Sequence, residues 1–342
     1  MSKKYVKILL LGFLFLILFG FSNLNCTPIY FAIPKNWPKP TYNFKNNPST
    51  KEGFELGREL FYDPILSRDN TISCSSCHLQ QTGFTHVDHD LSHGINGRIG
   101  TRNALTLQNL AWTKNFMWDG GVNHLEMQAV GPITSSLEMD ESVKNVVVKL
   151  QKSKKYRNLF QKAFGNTAIT GQLMLKSLAQ FTVALVSSNS KYDKMIKNQV
   201  QFSDVEQKGY DLFKKNCASC HQEPLFSSDQ FENNGLEVDT TLNDFGRMKI
   251  TQSPSDSIKF KVPTLRNIQF TFPYMHDGRF KTLNEVTKHY ATGIKQSKTL
   301  AKQLKNNMYL TDANRVELIA FLKTLTDTDF LFNPQYGFPK QN

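Results

Sequence analysis

Glycine, proline, cysteine and long apolar runs are all scarce in this 342-residue chain, and each scarcity excludes something. Glycine and proline make 19 + 13 = 32 residues, about 9%, which excludes collagen-like and low-complexity chains. Charged residues reach only 20% against 39% hydrophobic, so the chain can bury a core and is not a disordered polyelectrolyte. No segment sustains the apolar–polar alternation of half-buried strands. A long basic run is also missing. Although the formal charge is +12, lysine is scattered along the chain, so no nucleic-acid partner is expected. The length allows two domains of ordinary size.

The one extended apolar run is Ile8 to Phe21, fourteen residues, which is short for a membrane-spanning helix. Lys3, Lys4 and Lys7 precede it, Ser22 to Asn25 follow it, and no Asp or Glu occurs through Asn25. Residues 1–25 therefore read as an export signal, and the expected location is periplasmic. Without those lysines the charge is 12 − 3 = +9. Cys26 stands where a lipoprotein signal leaves its acylated cysteine, but Asn23-Leu24-Asn25 departs from the usual small residues. A lipid anchor through Cys26 is left open beside simple cleavage. Pro34 to Thr50, rich in Pro, Asn and Lys, makes 26–51 read as an extended tether.

Five cysteines in an exported chain would ordinarily suggest disulfides, but their spacing does not. Cys74-Ser75-Ser76-Cys77-His78 and Cys217-Ala218-Ser219-Cys220-His221 are two copies of C-x-x-C-H, the pattern of c-type haem attachment. The two thiols of each copy add across the haem vinyl groups, and the adjacent His78 or His221 ligates the iron. A zinc site would need pairs 143 residues apart and would leave both histidines unexplained.

The surroundings of the motifs repeat. Gly57-Arg58-Glu59-Leu60-Phe61 precedes the first, and Gly209-Tyr210-Asp211-Leu212-Phe213 precedes the second. Thr106-Leu107-Gln108-Asn109, seven residues and Met117-Trp118-Asp119-Gly120 recur as Thr264-Leu265-Arg266-Asn267, seven residues and Met275-His276-Asp277-Gly278. The chain is a duplication with its boundary near Asn189–Ser203, giving units 52–195 and 196–342. Glu141–Phe164 and Gly171–Ser187 carry helical periodicity, and Thr311 or Asp312 caps a helix to Leu325 with Val316, Ile319, Leu322 and Leu325 on one side. The expected fold class is all-α, two tandem cytochrome c-like domains each carrying one covalent haem.

The same register compares the two irons. Fourteen residues from Trp118 lies Pro132, and fourteen from His276 lies Tyr290. Proline cannot ligate iron whereas a phenolate can, so the first haem is expected open and the second closed by Tyr290, with Met275 as the competing ligand.

These residues resemble the bacterial dihaem cytochrome c peroxidases and the related MauG-type enzymes over nearly all of Glu55 to Leu325. The matching segments are Asp63-Pro64-Ile65-Leu66-Ser67, Arg102-Asn103, Trp118-Asp119-Gly120, Gln128 through Glu138, and Val262 to Asn267 with Pro273 to Gly278. The resemblance implies that the first haem meets hydrogen peroxide and the second relays electrons. It implies that Gln128 and Glu138 line the distal pocket, that Glu138 is the acid–base group, and that Trp118 carries electrons between the haems. Asn103, with the carbonyls of Thr271 and Pro273, resembles an interdomain calcium site, which suits a hard cation. His93 resembles the histidine that closes the first iron in reductively gated members, but stands two residues farther from Asn103 than the pattern. His86 and His89 are its neighbours and alternatives. Tyr290 stands where peroxidases have methionine and MauG-type enzymes tyrosine. The implied donor is a small c-type cytochrome or cupredoxin, and a homodimer is left open. The rivals are a MauG-like enzyme that oxidises side chains of a protein partner and a non-catalytic dihaem electron carrier.

Overall fold

The computed structural model describes residues 26–165, 168–306 and 308–340. The export signal read over residues 1–25 lies outside them. Helix α1 (Lys51–Tyr62) begins where the Thr50 side chain accepts from the Gly53 amide. The first motif forms the single turn α2 (Cys74–Cys77), and α3 (Leu125–Gln128) and α4 (Val130–Thr134) follow. The periodicity of Glu141–Phe164 is two helices, α5 (Val143–Lys152) and α6 (Lys154–Phe164), because Ser153 caps the second. Helix α7 (Gly171–Val183) closes the first unit. Helix α8 (Lys191–Ile196) links it to α9 (Asp204–Asn216), α10 (Met248–Thr251), α11 (Leu283–Lys288), α12 (Asp312–Lys323) and α13 (Thr328–Leu331). Among the described residues the only sheet is antiparallel β1 (Phe231–Glu232) with β2 (Phe260–Lys261), so the all-α expectation stands.

The duplication is visible atom by atom. Helices α1 and α7 cross where a Cβ on Gly57 would lie 2.0 Å from the Ser177 carbonyl oxygen. Helices α9 and α12 cross where a Cβ on Gly209 would lie 2.0 Å from the Glu317 oxygen. Glycine is what lets each helix pair touch backbone to backbone. Left-handed residues recur in register too, Asn109 with Asn267 and Met117 with Met275. At the seam, Asn103 N donates to His276 O at 2.7 Å while Lys261 N donates to Trp118 O at 2.8 Å. Residues 103 and 261, like 118 and 276, are 158 apart, so these two bonds are one contact made twice about a local twofold axis.

Three expectations change. Residues 26–50 are not a free tether, because Phe31, Trp37, Tyr42 and Phe44 pack on the first core and Trp112 Nε1 donates to Pro38 O at 2.7 Å. The second unit does not keep the chain end. Phe330 and Leu331 are buried in the first core, and Tyr62 donates to Tyr336 O at 2.8 Å. On α12 the buried stripe is Leu318, Phe321 and Leu322, because the Gly209 crossing faces Phe321; Val316 is exposed.

Two candidate haem cavities and the residues between them

Each motif opens onto its own cavity. The first, about 370 Å³, is lined by Cys74, Cys77 and His78, and by Ser92, His93, Gln128, Pro132 and Glu138. The second, about 210 Å³, is lined by Cys217, Cys220 and His221, and by Asn234, Lys261, Met275 and Tyr290. Thr271 and Pro273 also face the second, whereas Asn103 and Trp118 line both. None of the five cysteines is in a disulfide, so the four of the two motifs are available for attachment to a haem.

The motif histidines are pre-set as ligands. His78 Nδ1 lies 2.7 Å from the Phe84 carbonyl, and His221 Nδ1 lies 3.1 Å from Pro263 O and 3.3 Å from Phe226 O. Carbonyls only accept, so Nδ1 carries the proton and Nε2 keeps its lone pair for iron. Burial pushes both imidazoles down to about 4, so both are neutral near pH 7. Phe84 and Phe226 both have left-handed backbones, which turns their carbonyls toward these rings.

Glu138 reaches the first cavity from a turn in which its amide donates to Ser135 O and Met139 N donates to Pro132 O. A Cβ on Gly94 would lie 2.1 Å from Leu137 O, so glycine there lets the facing loop close over this turn. Burial raises the Glu138 pKa, opposed by Ser92, whose hydroxyl donates to Oε1 at 3.1 Å. A carboxyl held above the ordinary range in the same cavity as His78 is suited to take up and return a proton. Ser92 was not foreseen from sequence. Among the three clustered histidines only His93 lines the cavity; its ring is 3.8 Å from that of His89, and His86 and His89 stack at 5.0 Å. Burial lowers the His93 pKa, with His89 adding to it.

Trp118 is buried and lines both cavities, with Nε1 donating to Asn103 O at 2.9 Å and its ring centroid 6.5 Å from that of His276 in an edge-to-face arrangement. His276 stacks on Phe260 at 3.8 Å. Arg102 fastens this seam, binding Asp119 at 2.6 Å and Asp244 at 2.6 and 2.9 Å.

Comparison with known proteins agrees with this architecture. The family described as di-haem cytochrome c peroxidase matches residues 51–201, and the cytochrome c family matches residues 206–326. The methylamine utilization protein MauG of Methylophilus methylotrophus is 33% identical over 302 residues, covering 86% of this chain and 87% of that protein. The cytochrome c551 peroxidase of Nitrosomonas europaea is 35% identical, covering 82% and 81%. The chain belongs to the di-haem cytochrome c peroxidase family. Among solved structures, a MauG-like protein associated with microbial copper homeostasis superposes with a TM-score of 0.84 at 31% identity, covering 91% of this chain and 99% of that one. As a family member with a C-x-x-C-H motif in each unit, the protein carries two c-type haems. No helix among the described residues is long and apolar enough to cross a membrane.

Proposed function

We propose that this di-haem cytochrome c peroxidase reduces hydrogen peroxide to water at the haem of the first cavity. Electrons would come from a small c-type cytochrome or cupredoxin through the second haem. Two protons and two electrons turn one peroxide into two waters. The observation that carries the reading is Glu138, a half-buried carboxyl in the same cavity as His78, with Pro132 where a ligand would otherwise stand. When bound, the haem supplies the redox-active iron with one coordination position for peroxide. His78, held by the Phe84 carbonyl, would hold the haem iron through Nε2. Glu138 moves a proton from the near to the far peroxide oxygen so that water can leave. Ser92 keeps the Glu138 carboxyl oriented, and Gln128 adds a polar group to the same wall. Trp118 supplies an indole lining both cavities for the electron path.

The test is steady-state peroxide consumption with a reduced c-type cytochrome, a reduced cupredoxin, or neither. Turnover that requires such a donor is the expected result. Absence of turnover with intact haems would overturn it.

Tyr290 favours a second reading, a MauG-like enzyme that oxidises side chains of a protein partner, because a phenolate ligand stabilises oxidised iron. One equivalent of peroxide added to the fully oxidised protein separates the two. An immediate change in the visible spectrum supports the MauG-like side; reaction only after one electron is supplied supports a gated peroxidase closed by His93. A plain electron carrier fits poorly, since it needs neither Pro132 nor Glu138.

Asn103, Thr271 and Pro273 all line the second cavity, and their side-chain and main-chain oxygens are the donors that would hold a calcium ion, the Asn103 Nδ2 donating to Asp90 O at 3.0 Å. Export to the periplasm and a lipid at Cys26 rest on the leader sequence.

A further inference from the structure

The second cavity reaches the surface at one place. Among the described residues that line it, Gln303 alone is exposed. Gln303 is the middle residue of a single 3-10 turn, Lys302–Leu304, which Leu304 anchors in a small core with Leu300, Ala301, Tyr290 and Met308. Residues three apart on such a turn eclipse one another. Lys302 and Lys305 therefore stand side by side at the mouth, where the Lys305 amide donates to the Lys302 carbonyl at 3.3 Å. Both are exposed, as are Lys288, Lys295 and Lys298 before them. From Val286 to Thr311 the chain has these five lysines and no Asp or Glu.

Most of this charge is uncommitted. Lys295 pairs with Glu237 at 3.5 Å on the surface, whereas Lys298, Lys302 and Lys305 make no ion pair among the described residues. Tyr309 stands with them, 92% exposed, between Met308 and Leu310, which both line the cavity. The first cavity is different at its mouth. Its exposed lining residues are Thr101 and Leu137, both uncharged. An uncharged mouth suits a small neutral molecule such as peroxide; a cationic rim with an aromatic side chain suits a large anionic surface.

We infer that the lysine-ringed mouth of the second cavity is the docking surface for an acidic redox protein, the donor that reduces the second haem. This rests on the peroxidase reading, in which electrons enter at that haem. One electron passes from the donor's reduced cofactor to the second haem at each encounter, and two encounters supply the two electrons that one peroxide consumes. Carboxylates around the donor's own cofactor are steered onto Lys298, Lys302 and Lys305, and a donor docked there faces the cavity at Gln303. An anionic lipid surface would meet the same lysines. However, Tyr309 is the one large exposed hydrophobic residue among the described residues of this segment, too little apolar area to enter a bilayer.

The probes are a basic c-type cytochrome and its succinylated form, in which surface lysines have become carboxylates. Stopped-flow mixing of either reduced cytochrome with the oxidised holoprotein follows reduction of the second haem from low to high ionic strength. The parent is compared with Lys298→Glu/Lys302→Glu/Lys305→Glu, with the neutral Lys298→Gln/Lys302→Gln/Lys305→Gln, and with a control of equal charge change on α5 and α6, Lys144→Glu/Lys152→Glu/Lys154→Glu. The succinylated donor is expected to react faster than the unmodified one with the parent at low salt, and to slow steeply as salt is added. The glutamate triple at the mouth is expected to lose about tenfold or more of that rate, the glutamine triple less, and the control under about threefold. Equal losses in the two glutamate triples mean that net charge alone acts and overturn the inference, as does an unmodified donor that outpaces the succinylated one. Both results leave the peroxidase reading in place. No reduction of the second haem by either donor overturns the electron route of that reading, and the inference with it. Binding of the parent to vesicles of anionic lipid, lost in the glutamate triple while the donor rate holds, assigns the face to a membrane and also overturns the inference.

Discussion

Replacing Glu138 with glutamine keeps the shape of the side chain and an oxygen to accept the Ser92 hydroxyl, and removes only the ability to carry a proton. A positioned acid–base group contributes about 10²–10⁴-fold, so kcat/KM for peroxide is expected to fall by that much in Glu138→Gln. The fall should not come from unfolding. Burial raises the Glu138 pKa in the folded state above its unfolded value. Such a group favours folding below the unfolded pKa, and that contribution is lost as pH rises through the folded pKa. Near pH 7 the parent holds a buried carboxylate at a cost that the neutral amide avoids, so Glu138→Gln should melt no lower than the parent. The same shift fixes the pH profile. Peroxide reaction needs the carboxylate form first, so its acid limb should lie above the ordinary glutamate value of about 4.3. Ser92 lowers that pKa by donating to the charged acceptor. Ser92→Ala should therefore move the acid limb upward without abolishing the reaction. The assay is stopped-flow mixing with peroxide from pH 4 to pH 9 on holoprotein with both haems verified. A Glu138→Gln rate within threefold of the parent, or an unmoved limb in Ser92→Ala, would refute the assignment.

Three other expectations follow from the packing. In Gly209→Ala the added methyl carbon would meet the Glu317 carbonyl at 2.0 Å, so α9 and α12 must separate; a loss of about 1–3 kcal/mol, or a few degrees in Tm, is expected by calorimetry. Asp193 makes two bonds of 2.8 Å to Arg266, which is fully buried, so Asp193→Ala should cost about 3–5 kcal/mol, whereas breaking the more exposed Lys191–Glu206 pair should cost under about 1 kcal/mol. Pro132→Tyr places at the first cavity the residue that the repeat puts at the second; the ferric spectrum should lose its open-iron signature and peroxide reaction should slow, and an unchanged rate would show that position 132 does not face the iron.

Much of this fold was legible because covalent chemistry and close packing both fix spacing. Two thiols and a histidine must sit at C-x-x-C-H to hold one haem, and the glycines of GRELF and GYDLF recur because an added Cβ at either would lie 2.0 Å from a carbonyl oxygen of the crossing helix. The register from Trp118 to Pro132 and from His276 to Tyr290 put both residues on their respective cavities. What stayed hidden was non-local. Pro34 to Thr50 read as a tether because composition reports solvation, while Trp37 and Tyr42 settle on a surface built from Ala111, Trp112 and Glu126, distant in sequence. The return of Phe330 to the first core is likewise a contact that no local pattern announces. Ser92 went unnoticed because the turn carrying Glu138 meets it only in the folded chain.

The local twofold axis explains how one backbone can run two chemistries. Asn103 with His276, and Lys261 with Trp118, make the same backbone bond, so the frame around both irons is held in common. Side chains at equivalent positions can then differ without moving that frame. Gln128 faces the first cavity where Val286 faces the second, Pro132 where Tyr290 stands, and Trp118 reaches both cavities while His276 lines only the second. The first set gives its cavity an amide and a proline that cannot ligate, whereas the second gives an apolar side chain and a phenol. Substitution at these pairs, rather than change in the fold, is the economical route between a site that meets peroxide and one that stores an electron. The bonds at the seam are also why the two sites stay coupled. Trp118 cannot move without disturbing its Nε1 bond to Asn103 or the bond its carbonyl accepts from Lys261, and each of those partners lines the second cavity. Trp118 and Asn103 thereby form part of the wall of both cavities.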